Sequence, residues 1–185
     1  MAIDRRKYYA LAAQASRQIG NHPGLLYLQQ IAGQSSNVLD VGCGEGTRLS
    51  TLLPSGRFGW GIDIDPYAIR LAQKHYPGHR FRVYSGKRLP YKSGVFDLVY
   101  SAFVLEHTQD PVNFLTEMIR VCQPGGHLVI LCPNFGSPNR RSPNSVRHPL
   151  LKLTSGFITD FFPNPNLKLE KVDPRFKKFF SESSK

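Results

Sequence analysis

Val38-Leu-Asp-Val-Gly-Cys-Gly-Glu-Gly46 is a short apolar strand that runs directly into a loop with three glycines. Seventeen residues past Gly46, Asp63 ends a second apolar run, Phe58-Gly-Trp-Gly-Ile-Asp63. Together they describe a nucleotide-type pocket at the switch point of a parallel α/β sheet. The glycines let the backbone approach a ligand, and an acid at the tip of the second strand can take a ribose diol. Asp40 separates this loop from a dinucleotide-phosphate loop. It stands inside the strand, two residues before Gly42, where it would repel a pyrophosphate at the helix N-terminus. It suits a ligand with an amino group or a sulfonium instead. The ligand inferred from these residues is S-adenosylmethionine.

Strands and helices alternate outward from this stretch. Residues 4–19 are rich in helix formers and are closed by Gly20-Asn21, and a second helix is expected over about 23–33 with Pro23 in its first turn. The first strand covers 37–41, and the helix after the glycine loop ends near Leu53, before Pro54 and Gly56. Strands follow at 58–63 and 80–84. Asp65-Pro66 and Asp110-Pro111 each pair an N-cap acid with proline at the first helical position, opening helices to about Tyr76 and Cys122. Residues 85–94 leave no room for a crossover helix. The fourth strand is 95–101, Gln123-Pro-Gly-Gly126 reads as a turn, and the fifth strand is 127–132. This order predicts a parallel sheet covered on both faces.

Four landmarks in order resemble the class I S-adenosylmethionine-dependent methyltransferases, in particular the small-molecule branch that includes the quinone-biosynthesis type. They are the 38–46 stretch, Gly61-Ile-Asp-Ile-Asp-Pro66, Phe96-Asp-Leu-Val-Tyr-Ser101 with Leu105-Glu-His107, and Arg120-Val-Cys-Gln-Pro-Gly-Gly126. The resemblance implies a Rossmann-like doubly wound sheet and methyl transfer to a small-molecule acceptor by in-line displacement, with S-adenosylhomocysteine as product. It implies that Gly42, Gly44 and Gly46 wrap the methionine end of the cofactor, with Asp40 positioning its ammonium directly or through water. Asp63 would take the ribose hydroxyls, Ile64 would lie on the adenine, and Ser101 would meet the methionine portion. Where the family carries an acid after the third strand, this chain offers Ser85-Gly86-Lys87, so Gly86 and Lys87 stand at the adenine amino contact.

His107 admits two readings. It could be the general base that takes a proton from the acceptor, for which histidine has a suitable pKa, or a rim residue that shapes the pocket. Alignment and desolvation supply much of the acceleration in such a displacement, and a protein base is not obligatory. Asp65 reads as a helix cap and Cys43 as a packing residue, since nothing places a base beside it.

The charge of +11 raises nucleic acid as a partner, but residues 137–185 hold 10 Lys/Arg against 4 Asp/Glu, more than half of the excess. A basic, proline-rich segment of this kind reads as a tail or cover. An enzyme acting on base amines would show an Asn/Asp-Pro-Pro-aromatic turn after the fourth strand, and Ser101-Ala-Phe-Val-Leu-Glu-His107 is not one. A nucleic-acid methyltransferase and a catalytically silent cofactor-binding protein are the alternatives. No apolar run approaches the roughly 20 residues of a membrane span. The three cysteines lack metal-like spacing and read as buried or half-buried thiols of a cytoplasmic protein, with no metal.

The expected organisation is an N-terminal helical lid (1–36), a cofactor-binding core (37–135) and a basic C-terminal segment (136–185). Tyr8 and Tyr9 are the lid's candidates for pocket walls. Strands six and seven of the family's sheet are expected to be missing or replaced, or the chain is a fragment. Residues 150–162 or a second subunit would then cover an open sheet edge, which admits a homodimer. Asn134–Arg147 would line the acceptor side, with Arg140, Arg141 and Arg147 favouring an acidic or phosphorylated acceptor.

Overall fold

A computed structural model describes residues 4–17 and 22–132. Five parallel strands, β1 (Val38–Val41), β2 (Trp60–Asp63), β3 (Arg80–Val83), β4 (Phe96–Ala102) and β5 (Cys122–Leu131), form one sheet in the order β3-β2-β1-β4-β5. The chain winds outward from β1 to β3, then returns to β4 on the other side of β1. The switch point therefore lies between β1 and β4, beyond their carboxyl ends.

The helices are α1 (Arg5–Arg17), α2 (Pro23–Gln34), α3 (Thr47–Leu52), α4 (Pro66–His75) and α5 (Pro111–Val121). Alternation along the strands assigns each helix to a face. Val38, Leu98 and Tyr100 share one core with Leu28 of α2, Leu49 of α3 and Ile69 of α4. Leu39, Val41 and Val99 share the other with Phe114, Met118 and Val121 of α5. The doubly covered sheet is the architecture the alternation of elements predicts. Both aspartate caps form as expected: Asp65 accepts from the Tyr67 amide at 2.9 Å and Asp110 from the Asn113 amide at 2.9 Å.

The passage from β3 to β4 has no helix, and α5 pins it instead. The Leu89 amide donates to Glu117 at 2.8 Å, and Arg120 donates to the Leu89 and Tyr91 carbonyls at 3.0 and 2.9 Å.

The structure corrects three sequence readings. β5 begins at Cys122, five residues early, because Gln123–Gly126 does not leave the sheet. Phe96 pairs with Cys122 and Leu98 with His127, so the supposed turn is an irregularity within the strand, with Gly125 at φ 80°. Cys132 is exposed, whereas Cys43 and Cys122 are buried. The second helix is part of the core through Leu25, Leu28, Ile31 and Ala32, not a separate cover. Strands six and seven, the 150–162 helix, Asn134–Arg147 with its arginines, and the 136–185 segment lie outside the described residues. Among the described residues, no helix is long and apolar enough to cross a membrane.

Candidate active site

The glycine loop is held from within. The Gly42 and Cys43 amides donate to the Ile62 carbonyl at 2.7 and 3.0 Å, Gly46 to Cys43 at 3.0 Å, and Gly44 to Asp63 Oδ2 at 2.8 Å. The Thr47 amide and hydroxyl both donate to the buried Glu45 carboxyl. So the amides of Gly42, Cys43, Gly44, Gly46 and Thr47 are already taken, and acids flank them. Two of the glycines are required sterically. Gly42 sits at φ 84°, where a Cβ would come within 2.5 Å of the Val104 side chain. Gly46, at φ 85°, would meet Phe81 at 2.7 Å. Gly44 (φ 55°) faces Tyr9 of α1, at 3.8 Å from a Cβ there.

Asp40 lies directly beneath the loop and is 2% exposed. Its register partner on β4 is Tyr100, whose hydroxyl donates to Asp40 Oδ2 at 2.8 Å. Burial pushes the Asp40 pKa up to about 7, against the Tyr100 hydrogen bond and the Arg48 charge, which both pull it down. Asp40 can therefore act on a cation through its field from under the loop, not by direct contact.

Asp63, at the tip of β2, accepts from two amides, Gly44 on Oδ2 and Asp65 on Oδ1 at 2.9 Å. Burial raises its pKa despite these bonds. Next to it Ile64 is 64% exposed, and its Cγ2 lies 3.5 Å from where a Gly86 Cβ would be. The exposed isoleucine thus lies beside the Gly86 backbone, which turns at φ 79°. Lys87 points into solvent, and its carbonyl accepts from Asn113 Nδ2 at 2.8 Å. Ser101 departs from expectation. Its hydroxyl donates to the Val41 carbonyl at 2.8 Å and its side chain is wholly buried, so it ties β4 to β1 and does not face a ligand.

Across the switch point, the chain after β4 turns sharply. Phe103 adopts φ 62°, a left-handed conformation that costs a bulky residue energy. Its amide donates to the Leu131 carbonyl of β5 at 2.7 Å. Leu105–His107 form one 3-10 turn, in which the His107 amide donates to Val104 at 2.8 Å and the His107 side chain is exposed.

Over the loop lies α1. The Tyr9 hydroxyl donates to Asp65 Oδ2 at 2.8 Å, and Arg5 approaches Asp65 Oδ1 at 3.8 Å. Burial raises the Asp65 pKa, but the Tyr67 amide, the Tyr9 hydroxyl and Arg5 outweigh it and hold the group below its usual range. Tyr8 is half exposed and packs edge-on against Tyr9.

Comparison with known proteins agrees with this geometry. The family profile described as "Methyltransferase domain" matches residues 39–130. Demethylmenaquinone methyltransferase of Tropheryma whipplei is 34% identical over 147 residues, covering 78% of this chain and 52% of that protein. Norajmaline N-methyltransferase of Rauvolfia serpentina is 39% identical over 102 residues, covering 51% and 35%. The chain belongs to the class I S-adenosylmethionine-dependent methyltransferases. A methyltransferase from Aquifex aeolicus shares the fold, with a TM-score of 0.61 at 19% identity over 86% of this chain and 88% of that one. This methyltransferase chain spans between a third and about half of the curated relatives named here.

The family's cofactor is S-adenosylmethionine, and the residues present fit it. The loop offers glycine backbone whose amides are mostly bonded internally, a buried acid below, an acid at the end of the second strand and an exposed isoleucine beside it. Sequence reading did not find Tyr100, Arg48, Glu45 or the Tyr9–Asp65 link. Only strand register brings Tyr100 opposite Asp40, and nothing local to either residue signals that pairing.

Proposed function

We propose that this methyltransferase moves a methyl group from S-adenosylmethionine to a small-molecule acceptor. The observation that carries this reading is the internally bonded glycine loop over buried Asp40, a site hostile to pyrophosphate and suited to a cation. The cofactor supplies a methyl group on a sulfonium, which leaves as a neutral thioether. The chain holds and orients: Gly42, Gly44 and Gly46 wrap the methionine end, Asp40 supports its ammonium from below, and the remaining lone pairs of Asp63 take the ribose hydroxyls. Ile64 lies against one face of the adenine, with Gly86 and the Lys87 backbone at its edge. Helix α1 covers the cofactor as a lid, hinged at Asp65.

Two observations support a small acceptor. The turn after β4 lacks the signature of base-amine enzymes, and the relatives described above are named for an alkaloid and a quinone precursor. Calorimetric titration with S-adenosylmethionine, S-adenosylhomocysteine and NAD tests the reading. Binding of the two adenosyl-sulfur ligands is expected. Micromolar binding of NAD with neither of them would overturn it.

A further inference from the structure

Between α1 and the α3–α4 side of the molecule lies a cavity of about 350 Å³, at the small end of the roughly 300–1,000 Å³ typical of small-molecule sites. It exists because α1 turns Ala10 and Ala13 toward it, where longer side chains would fill the space. Arg6 and Arg17 line it one turn before and one turn after these alanines, and both are exposed. Facing α1 are Tyr67 and Tyr76 of the α4 segment, with Glu45 and Thr47. The Tyr9 and Tyr67 rings lie 5.9 Å apart. Hydrogen-bond directions decide what this cavity can hold. Glu45 is 5% exposed. Its bonds from the Thr47 amide, at 3.1 Å, and from the Thr47 hydroxyl both fall on Oε2. Oε1 receives none from a described residue and is not among the sealed, partnerless atoms, so it opens on the cavity that Glu45 lines. Thr47 has one hydroxyl proton and gives it to the Glu45 carboxylate, so the Tyr76 hydroxyl, 2.8 Å away, must donate to Thr47. Tyr9 gives its own proton to Asp65 at 2.8 Å. Glu45, Tyr76 and Tyr9 are therefore left with lone pairs only.

Acceptors around a buried carboxylate call for a donor that carries positive charge. The tyrosine walls call for the same, because an ammonium is attracted to an aromatic face. Arg6 and Arg17 oppose a simple amine and attract an anion at the α1 rim. We propose that this cavity is a second small-molecule site and that it takes a small zwitterion. The primary ammonium of the zwitterion donates to Glu45 Oε1 and the Tyr76 oxygen, and its carboxylate meets Arg6 and Arg17. The site is separate from the cofactor cradle, since none of Gly42, Gly44, Gly46, Asp63 and Ile64 lines it. Glu45 stands between Gly44 and Gly46, so the occupant touches the cofactor loop through that one carboxylate.

Calorimetry with the ω-amino acids from glycine to 6-aminohexanoate tests this. At least one is expected to bind at millimolar concentration, and the matching carboxylate and amine, each lacking one charge, about tenfold more weakly or less. Binding should persist with S-adenosylhomocysteine added to saturation. No binding by any member of the series, or equal binding of either singly charged analogue, would overturn the site. Displacement by S-adenosylhomocysteine would make the cavity part of the cofactor cradle and overturn it as well. Glu45→Gln keeps an oxygen for the Thr47 amide but removes the charge, and should weaken the zwitterion by about tenfold or more. Ala13→Leu fills the cavity and leaves every polar group in place, so it should abolish binding without lowering Tm. It also decides the matter if the Glu45 variant does not fold. Undiminished binding to either folded variant would overturn the site. Failure of S-adenosylhomocysteine to bind the parent protein would count against methyl transfer alone and leave the zwitterion site standing.

Discussion

The two lips of the switch point are built on opposite plans. On the β1–β2 side, the loop amides of Gly42, Cys43, Gly44 and Gly46 all have partners, and the positive φ angles belong to glycines, which tolerate them. On the β4–β5 side, a phenylalanine carries the positive φ and polar atoms lack partners. The first lip is constrained and complete; the second holds strain and unmet hydrogen bonds. A rigid loop is finished in advance by its own hydrogen bonds, whereas the opposite lip stores strain that its packing must hold.

The sharpest way to break this contrast is to add a methyl group to the finished lip. Gly42→Ala and Gly46→Ala each combine a left-handed backbone, about 1–2 kcal/mol, with overpacking, about 1–3 kcal/mol. A loss of about 2–5 kcal/mol in urea unfolding is expected from each. Variants within about 0.5 kcal/mol of the parent would mean that the loop yields easily and is no rigid cradle.

Next in size is Asp63→Ala, which should weaken S-adenosylhomocysteine binding by about 2–3 kcal/mol, two ribose hydrogen bonds at about 1–1.5 each. Unchanged affinity by calorimetry would leave Asp63 with only its bonds to Gly44 and Asp65.

Asp40 gives a pH test with two opposite slopes. Its folded pKa of about 7 lies above the ordinary 3.8, so across that interval the folded protein holds a proton that the unfolded chain has released. Stability of the unliganded protein should therefore fall as pH rises from about 4 to about 7 and level off above. Affinity for a cationic ligand should rise over the upper part of the same window, as Asp40 ionises. Tyr100→Phe should move that window to higher pH, since the phenol hydrogen bond favours the charged form; Arg48, which favours it, and Asp63 and Glu45, which oppose it, stay in place. Asp40→Asn should flatten both profiles. A pH-independent thermal midpoint in the parent would refute the assignment.

The smallest effect is reserved for His107→Ala. An exposed ring should cost less than tenfold in turnover. A general base would cost about 10² to 10⁴, and a loss of that size would return His107 to the role of base.

Much of the fold was legible because its signals are local. Asp65-Pro66 and Asp110-Pro111 each start a helix from two adjacent residues, and three alternating glycines after an apolar strand dictate a loop. Gln123–Gly126 misled because Pro and Gly announce a turn, whereas pairing of Phe96 with Cys122 holds the segment in the sheet. Ser101 misled for a similar reason. Its position at a strand end was readable, but the partner that takes its hydroxyl, the Val41 carbonyl, is set by register. Glu106 was visible only as the residue before His107. What distinguishes it is that one oxygen lacks a partner, and only packed coordinates can show that.

One carboxylate described above has a practical consequence. Asp65 caps α4 through the Tyr67 amide and also receives Tyr9 from α1. Any movement of α1 must therefore change the charge environment of that amide. The Tyr67 resonance in a nitrogen–proton correlation spectrum becomes a built-in reporter of the position of α1, readable in a protein with no label on that helix itself.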